Sequence, residues 1–218
     1  MVLLDEALAR FVAGSATPPD VVQRDLAAAT AEAFPDLVGM QVSAEQGALL
    51  TLLARVTAAR LIIEVGTFTG YSTLCLARGL APGGRVVACE IDPKPLEIAR
   101  SHWERAGIAD RIDVRLGDAK ETLRALPLDE PVDLAFVDAD KAGYPDYVTE
   151  LRRRLSPRGL IVLDNMLWGG KVLDEEQVHS DPDTGALARL GAQLAADEQL
   201  VSVLLPLRDG ITLVCPRP

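Results

Sequence analysis

The sequence predicts an α/β domain: a mainly parallel sheet of seven strands with helices on both faces, an antiparallel last strand and an N-terminal helical cap. Three observations carry this. From Leu61 onward, short apolar runs alternate with helix-length segments, the pattern of repeated strand–helix–strand crossovers. The last two runs are joined only by Pro206 to Gly210, too short a link for a parallel crossover, so they form an antiparallel hairpin. Ahead of Leu61 the pattern is helical, from Asp5 to about Val56.

Within the cap, Pro18-Pro19-Asp20 ends one helix and starts the next, with proline suited to a helix's first turn. Ser43-Ala44-Glu45-Gln46 resembles a capping box that opens a helix through Leu49, Leu50, Leu52 and Leu53. Strands are expected at Leu61–Val65, Val86–Ile91, Ile112–Leu116, Val132–Val137, Leu160–Leu163, Val201–Leu205 and Ile211–Cys215. Helices are expected at Tyr71–Leu80, Pro95–Ala106, Lys120–Leu126, Tyr144–Leu155 and Ala186–Asp197. No repeat, low-complexity segment or linker divides the chain, which reads as one domain with residues 1–58 as cap and 59–218 as core.

A length of 218 residues suffices for one compact core, and an apolar fraction of 49% suits a soluble α/β protein. No apolar run reaches membrane-spanning length, and Met1-Val2-Leu3-Leu4-Asp5-Glu6 lacks the basic start of a signal peptide. The expected location is the cytoplasm, away from any membrane. A net charge of −10 disfavours nucleic acid as a partner. The densest basic group, Arg152-Arg153-Arg154, is expected on the solvated face of a helix. Cys75, Cys89 and Cys215 are odd in number and scattered, so they read as small buried hydrophobes, not as a disulfide framework. His102 and His179 lie near no nucleophile motif and have no zinc spacing, which disfavours a His-dependent hydrolase.

The chemistry concentrates where apolar runs end. Val132 to Val137 leads into Asp138-Ala139-Asp140-Lys141, and Leu160 to Leu163 leads into Asp164-Asn165. Two parallel strands carry these residues to the carboxyl edge of the sheet, where open α/β sheets bind ligands. Asp138, Asp164 and Asn165 are candidate oxygen ligands for one Mg²⁺-like ion, with positions left for a substrate. Lys141 is a candidate base in the same pocket; the plainer alternative is a surface lysine paired with Asp140. Trp168 is a candidate aromatic wall for a planar substrate or else a core residue, and Tyr144 and Tyr147 read as packing residues.

A second group of residues suits a nucleoside. Glu64-Val65-Gly66-Thr67-Phe68-Thr69-Gly70-Tyr71-Ser72 follows the first strand, and Gly66 and Gly70 permit a sharp turn close to a ligand. The spacing matches neither the dinucleotide fingerprint nor a phosphate loop. Glu90 ends the second strand twenty residues after Gly70, about where an acid would meet ribose hydroxyls, or it is an ordinary surface carboxylate. The third strand leads into Leu116-Gly117-Asp118-Ala119, a candidate flank for an adenine. A nucleoside without a diphosphate fits this pattern better than NAD.

Together these segments, with Met40-Gln41-Val42-Ser43, Asp164-Asn165-Met166-Leu167-Trp168 and Gly210-Ile211-Thr212, give a resemblance from about Met40 to the C-terminus. The chain resembles the cation-dependent small-molecule O-methyltransferases, which use S-adenosylmethionine. That group includes caffeoyl-CoA O-methyltransferases and, more distantly, catechol O-methyltransferase. A short N-terminus and no plant-type substrate insertion make it similar to the bacterial members. The resemblance implies a Rossmann-like sheet of seven strands, the last antiparallel.

Position by position, the resemblance makes Asp138, Asp164 and Asn165 the metal ligands and Lys141 the general base. It assigns Glu64, Gly66 and Ser72 to the methionine moiety, Glu90 to the ribose and Ala119 to the adenine. Asp138 and Asp140 are further acids on the cofactor side, and Met40 and Val42 form the pocket lip, Val42 replacing the threonine of plant members. The implied cofactors are S-adenosylmethionine and a divalent cation, Mg²⁺ ahead of Mn²⁺ or Ca²⁺. The implied acceptor is a small vicinal diphenol, and the implied assembly is a homodimer. Two rival readings remain: methylation of a hydroxylated uridine in RNA, and nucleoside binding without catalysis.

Overall fold

The computed structural model describes residues 6–218, so the leader reading made on Met1–Glu6 lies, but for its last residue, outside the described residues. Seven strands form one sheet: β1 (Leu61–Val65), β2 (Arg85–Glu90), β3 (Ile112–Leu116), β4 (Val132–Val137), β5 (Leu155–Leu163), β6 (Leu200–Leu205) and β7 (Ile211–Pro216). Their order is β3-β2-β1-β4-β5-β7-β6. β1 pairs in parallel with both β2 and β4, and its five residues are all buried, as a central strand covered on both faces requires. β7 runs antiparallel to β5 and to β6, as the short Pro206–Gly210 link demands.

Helices α1 (Glu6–Gly14), α2 (Val21–Ala33) and α3 (Ala44–Val56) precede the sheet. α4 (Tyr71–Gly79), α5 (Leu96–Arg105), α6 (Ala119–Ala125), α7 (Tyr144–Arg152), α8 (Glu175–Ser180) and α9 (Pro182–Ala196) follow within it. Adjacent strand residues face opposite ways, so each strand feeds two cores. On one face Ile62 and Phe136 pack with Leu26 of α2, Leu50 of α3, Leu74 of α4 and Trp103 of α5. On the other, Ile63 and Leu163 pack with Leu123 of α6, Leu151 of α7 and Leu187 of α9. The N-terminal helices α2 and α3 therefore share a core with the sheet.

Local chemistry sets the helix starts. Ser43 and Gln46 form the expected capping box at α3. At α2 the cap is Asp20, in a second capping box with Gln23, so Pro18 and Pro19 precede the helix and do not occupy its first turn. β5 begins at Leu155, five positions before the expected start at Leu160. The added stretch contains Pro157 and Gly159, which fit poorly in a regular strand, and the pairing with β4 shifts register beside them, between Val132 and Leu134.

Two further expectations are corrected. Arg154 is only 4% exposed, not solvated: its guanidinium donates to the carbonyls of Leu126, Arg124 and Glu150 and pairs with the Glu150 carboxylate at 2.8 Å. Cys75 and Cys89 are buried, whereas Cys215 is only partly so because it lies on β7 beyond the residues that pair with β5. Among the described residues, no helix is long and apolar enough to cross a membrane.

Candidate active site

The sheet's topology places the site. The chain leaves β1 toward β2 and β3, then returns to lay β4 against the other side of β1, and such a reversal opens a crevice at the carboxyl ends. Register does the rest. Val65 is level with Val137, and Val137 with Leu163, so the next residues, Gly66, Asp138 and Asp164, emerge side by side. Backbone bonds continue that alignment past the strand ends: Asp138 N donates to Val65 O at 2.8 Å and Asp164 N to Val137 O at 3.0 Å.

Asp138, Asp164 and Asn165 line one cavity with Lys141. Lys141 is 6% exposed, and its Nζ donates to Asp138 Oδ1 and to Tyr144 Oη, both at 2.9 Å. It is therefore no surface lysine, and its carboxylate partner is Asp138 instead of Asp140. Tyr144 Oη lies 3.1 Å from the carbonyls of Val137 and of Asp164, so one phenol ties together the ends of β4 and β5. Burial first, then the charge of Asp138, holds the Tyr144 phenol well above its ordinary pKa, which keeps it neutral. Asp140 Oδ1 instead accepts from Tyr147 Oη at 2.5 Å. Both tyrosines thus position site residues as well as packing.

Asp164 is nearly inaccessible, and its carboxylate accepts from Gln46 Nε2 (3.1 and 3.0 Å) and from Asn165 N (2.7 Å). Burial pushes this carboxyl up, and the Asp138 charge adds to the rise. Among the described residues no three His, Cys, Asp or Glu side chains cluster as a metal centre; Asp138, Asp164 and Asn165 line the cavity together.

The glycine-bearing turn forms the other end of the cavity. Gly66 has φ +91°, and a β-carbon there would meet the Asp138 carbonyl oxygen at 2.1 Å. Only glycine lets β1 turn away this close to β4. Glu90 is fastened below the turn, with Oε2 accepting from Thr67 N (3.0 Å) and Phe68 N (2.7 Å) and Oε1 from Ile91 N and Asp92 N. The second helix of the cap reaches over: the Phe34 and Phe68 rings lie 5.4 Å apart, and Thr30 Oγ1 donates to Thr69 Oγ1 at 2.8 Å.

The cavity has a volume of about 1200 Å³. Met40, Val42, Gly66, Ser72, Glu90, Ala119, Asp138 and Asp140 all line it, as does Trp168. Glu64 does not. It is fully buried beneath the turn, where Oε2 accepts from the hydroxyls of Thr67 and Thr73 and Oε1 has no partner among the described residues. Burial pushes its carboxyl up to about 7, against the opposing effect of the Ser72, Thr73 and Thr67 hydroxyls.

Trp168 is half-buried in the wall, its indole Nε1 unpartnered among the described residues, with Lys141 Nζ 5.8 Å from its ring centroid. Phe68, Asn165, Trp168 and Arg208 all have positive φ and all line the cavity, so backbone strain gathers at this site. The sequence reading missed Gln46 and the pair Arg208 and Asp209 as cavity residues. Gln46 had a signal, its place in the capping box; Arg208 had none beyond its place in the hairpin link.

The comparisons agree with this architecture. A family model described as O-methyltransferase matches residues 14–217. A catechol O-methyltransferase of Mycobacterium tuberculosis is 43% identical over 192 residues, 83% of this chain and 84% of that protein. The crystal structure of an O-methyltransferase from Bacillus cereus in complex with SAH has a TM-score of 0.87 at 34% identity, covering 97% of each chain. The O-methyltransferase TomG from Streptomyces achromogenes, involved in tomaymycin synthesis and solved in complex with SAM, gives 0.86 at 34% identity over 97% of this chain and 96% of that one. The fold is the Rossmann-like methyltransferase fold. The chain belongs to the O-methyltransferase family.

Proposed function

We propose that this protein transfers the methyl group of S-adenosylmethionine to one hydroxyl of a vicinal diphenol, with a divalent cation bound by Asp138, Asp164 and Asn165. One observation carries this reading: a single cavity joins the glycine turn and Glu90 at one end to these three oxygen-bearing side chains and Lys141 at the other. Its volume of about 1200 Å³ exceeds the ~300–1,000 Å³ of a typical ligand pocket, in keeping with two ligands side by side.

The donor set supports a cation. Two carboxylates and an amide oxygen suit a hard ion, Mg²⁺ before Mn²⁺ or Ca²⁺. Burial and the Asp138 charge raise the Asp164 carboxyl, and a bound cation would oppose both effects. When bound, such an ion would acidify the attacking hydroxyl and fix its direction.

The remaining roles belong to the chain. Lys141 takes the phenolic proton on the lone pair of a neutral amine, whose two N–H bonds hold it in the wall against Asp138 and Tyr144. Glu90 receives the ribose hydroxyls, and Ala119 flanks the adenine. Gly66 and Ser72 face the methionine moiety, with Glu64 behind them, Asp138 and Asp140 on the cofactor side, and Met40 and Val42 at the lip. Trp168 walls the planar acceptor. Holding acceptor and methyl donor in line supplies much of the barrier reduction in such a transfer.

Eight acidic residues line the cavity against three basic ones, which supports a small acceptor over RNA phosphates. Exposed apolar side chains on the N-terminal helices, among them Phe11, Leu52 and Val56, support a homodimer, and we place it in the cytoplasm. The test offers labelled S-adenosylmethionine to the protein with catechol, caffeic acid and transfer RNA as alternative acceptors. Label in a catechol methyl ether is the expected result. Label only in RNA, or cofactor binding with no transfer, would replace this reading with one of its rivals.

A further inference from the structure

We propose that Arg208 selects the acceptor by its charge, binding a carboxylate carried by the diphenol; the assignment rests on the acceptor end of the cavity proposed above. Arg208 lies in the link between β6 and β7 with φ +50°, a backbone region where any side chain other than glycine's is strained. Strained residues persist where the surroundings hold them, and they gather at ligand sites. The surroundings are explicit here. Arg208 Nε donates to Glu45 Oε1 at 2.5 Å, and Glu45 is a buried residue of α3 next to Gln46, which holds Asp164.

The link itself is tied to the loop that follows β5. Met166 N donates to Gly210 O (2.9 Å), Leu167 N to Asp209 O (2.8 Å) and Gly169 N to Asp209 Oδ1 (2.7 Å). Arg208 therefore keeps a fixed position relative to Asn165 and Trp168 in the same cavity wall.

Charge accounting singles it out. Three basic residues line the cavity: Lys141 is engaged by Asp138, and Lys120 by Asp146 at 3.1 Å. Glu45 occupies only the Nε of Arg208, and the two terminal amino groups have no partner among the described residues on a side chain that is 52% exposed. A planar guanidinium with its end free is suited to bidentate recognition of a carboxylate. An arginine serving only to fasten Glu45 would need neither the free end nor a place in the cavity wall.

The test compares kcat and KM for 3,4-dihydroxybenzoate and for catechol in wild type, Arg208→Gly and Arg208→Lys. Glycine suits the backbone at this position, and Arg208→Lys, which keeps a cation for the buried Glu45 carboxylate, controls for the ion pair that Arg208→Gly removes. The expected result for Arg208→Gly is a loss in kcat/KM for the carboxylated diphenol that exceeds the loss on catechol by roughly tenfold or more, the difference being carried by KM. Arg208→Lys should recover part of the loss.

An equal loss on both acceptors, or no loss on either, would overturn the assignment and leave Arg208 as a fastening for Glu45. Should wild type methylate neither acceptor, the methyl-transfer reading fails on its own. Calorimetric titration with 3,4-dihydroxybenzoate then decides: weaker binding to Arg208→Gly supports the assignment, and equal binding removes it.

Discussion

Tyr144 Oη sits 2.9 Å from Lys141 Nζ and 3.1 Å from the carbonyl oxygens of both Val137 and Asp164. One buried phenol thus fixes the amine against the two strands that deliver Asp138 and Asp164. Tyr144→Phe keeps the ring and removes the hydroxyl. We predict a fall in kcat of about tenfold with KM changed little, because the variant leaves the binding surface intact and releases only the amine. Two buried carbonyls also lose the one O–H they share, so urea denaturation should register a loss of about 1–3 kcal/mol. A variant with wild-type kcat would show that Tyr144 has no part in placing Lys141.

Glu64 gives the protein a pH-dependent term in stability. The unfolded chain releases this proton near 4.5 and the folded protein at about 7, so across that interval the folded state holds the extra proton. The group's contribution is complete below the lower value and is lost as pH rises toward the higher. A full loss amounts to about 3 kcal/mol. Asp164, also raised, adds a slope of the same sign. Denaturation curves from pH 4.5 to 8 should therefore show Glu64→Gln gaining on wild type as pH increases. Parallel curves for the two proteins would mean that Glu64 stays charged in the folded state.

Gly66→Ala tests the close approach of the turn to β4. The added methyl would meet the Asp138 carbonyl oxygen at 2.1 Å, at a φ of +91° that alanine resists. The predicted cost is roughly 2–4 kcal/mol of stability. The end of β4 must move to relieve the clash, so affinity for S-adenosylhomocysteine should fall together with stability. Calorimetry on the variant below its melting temperature checks this; unchanged affinity would uncouple the turn from the cofactor end of the cavity.

Much of this site was legible because chemistry and strand endings coincide in the sequence. The runs ending at Val137 and Leu163 stop at Asp138 and Asp164, and the strand register brings those two acids level. The turn at Gly66 announced itself by its glycines. Contacts made by side chains from distant segments were not legible. Gln46 reads locally as a capping residue, and its Oε1 does accept from Ser43 N, but the other end of the same amide reaches Asp164, 118 positions away. Arg208 and Glu45 are 163 positions apart. Arg154 misled for the opposite reason: three consecutive arginines suggest a wet helix face, yet α7 ends at Arg152, and the turn into β5 carries Arg154 inward to the carbonyls that end α6.

The central claim is cation-assisted methyl transfer to a vicinal diphenol at Asp138, Asp164 and Asn165. Its most direct test measures transfer from labelled S-adenosylmethionine to catechol in chelator, and again after Mg²⁺ is restored, for wild type and Asp164→Ala. The account predicts no turnover in chelator, recovery of the wild type with Mg²⁺, and no recovery of the variant at the same concentration. Undiminished turnover in chelator, or full activity of Asp164→Ala, would contradict it.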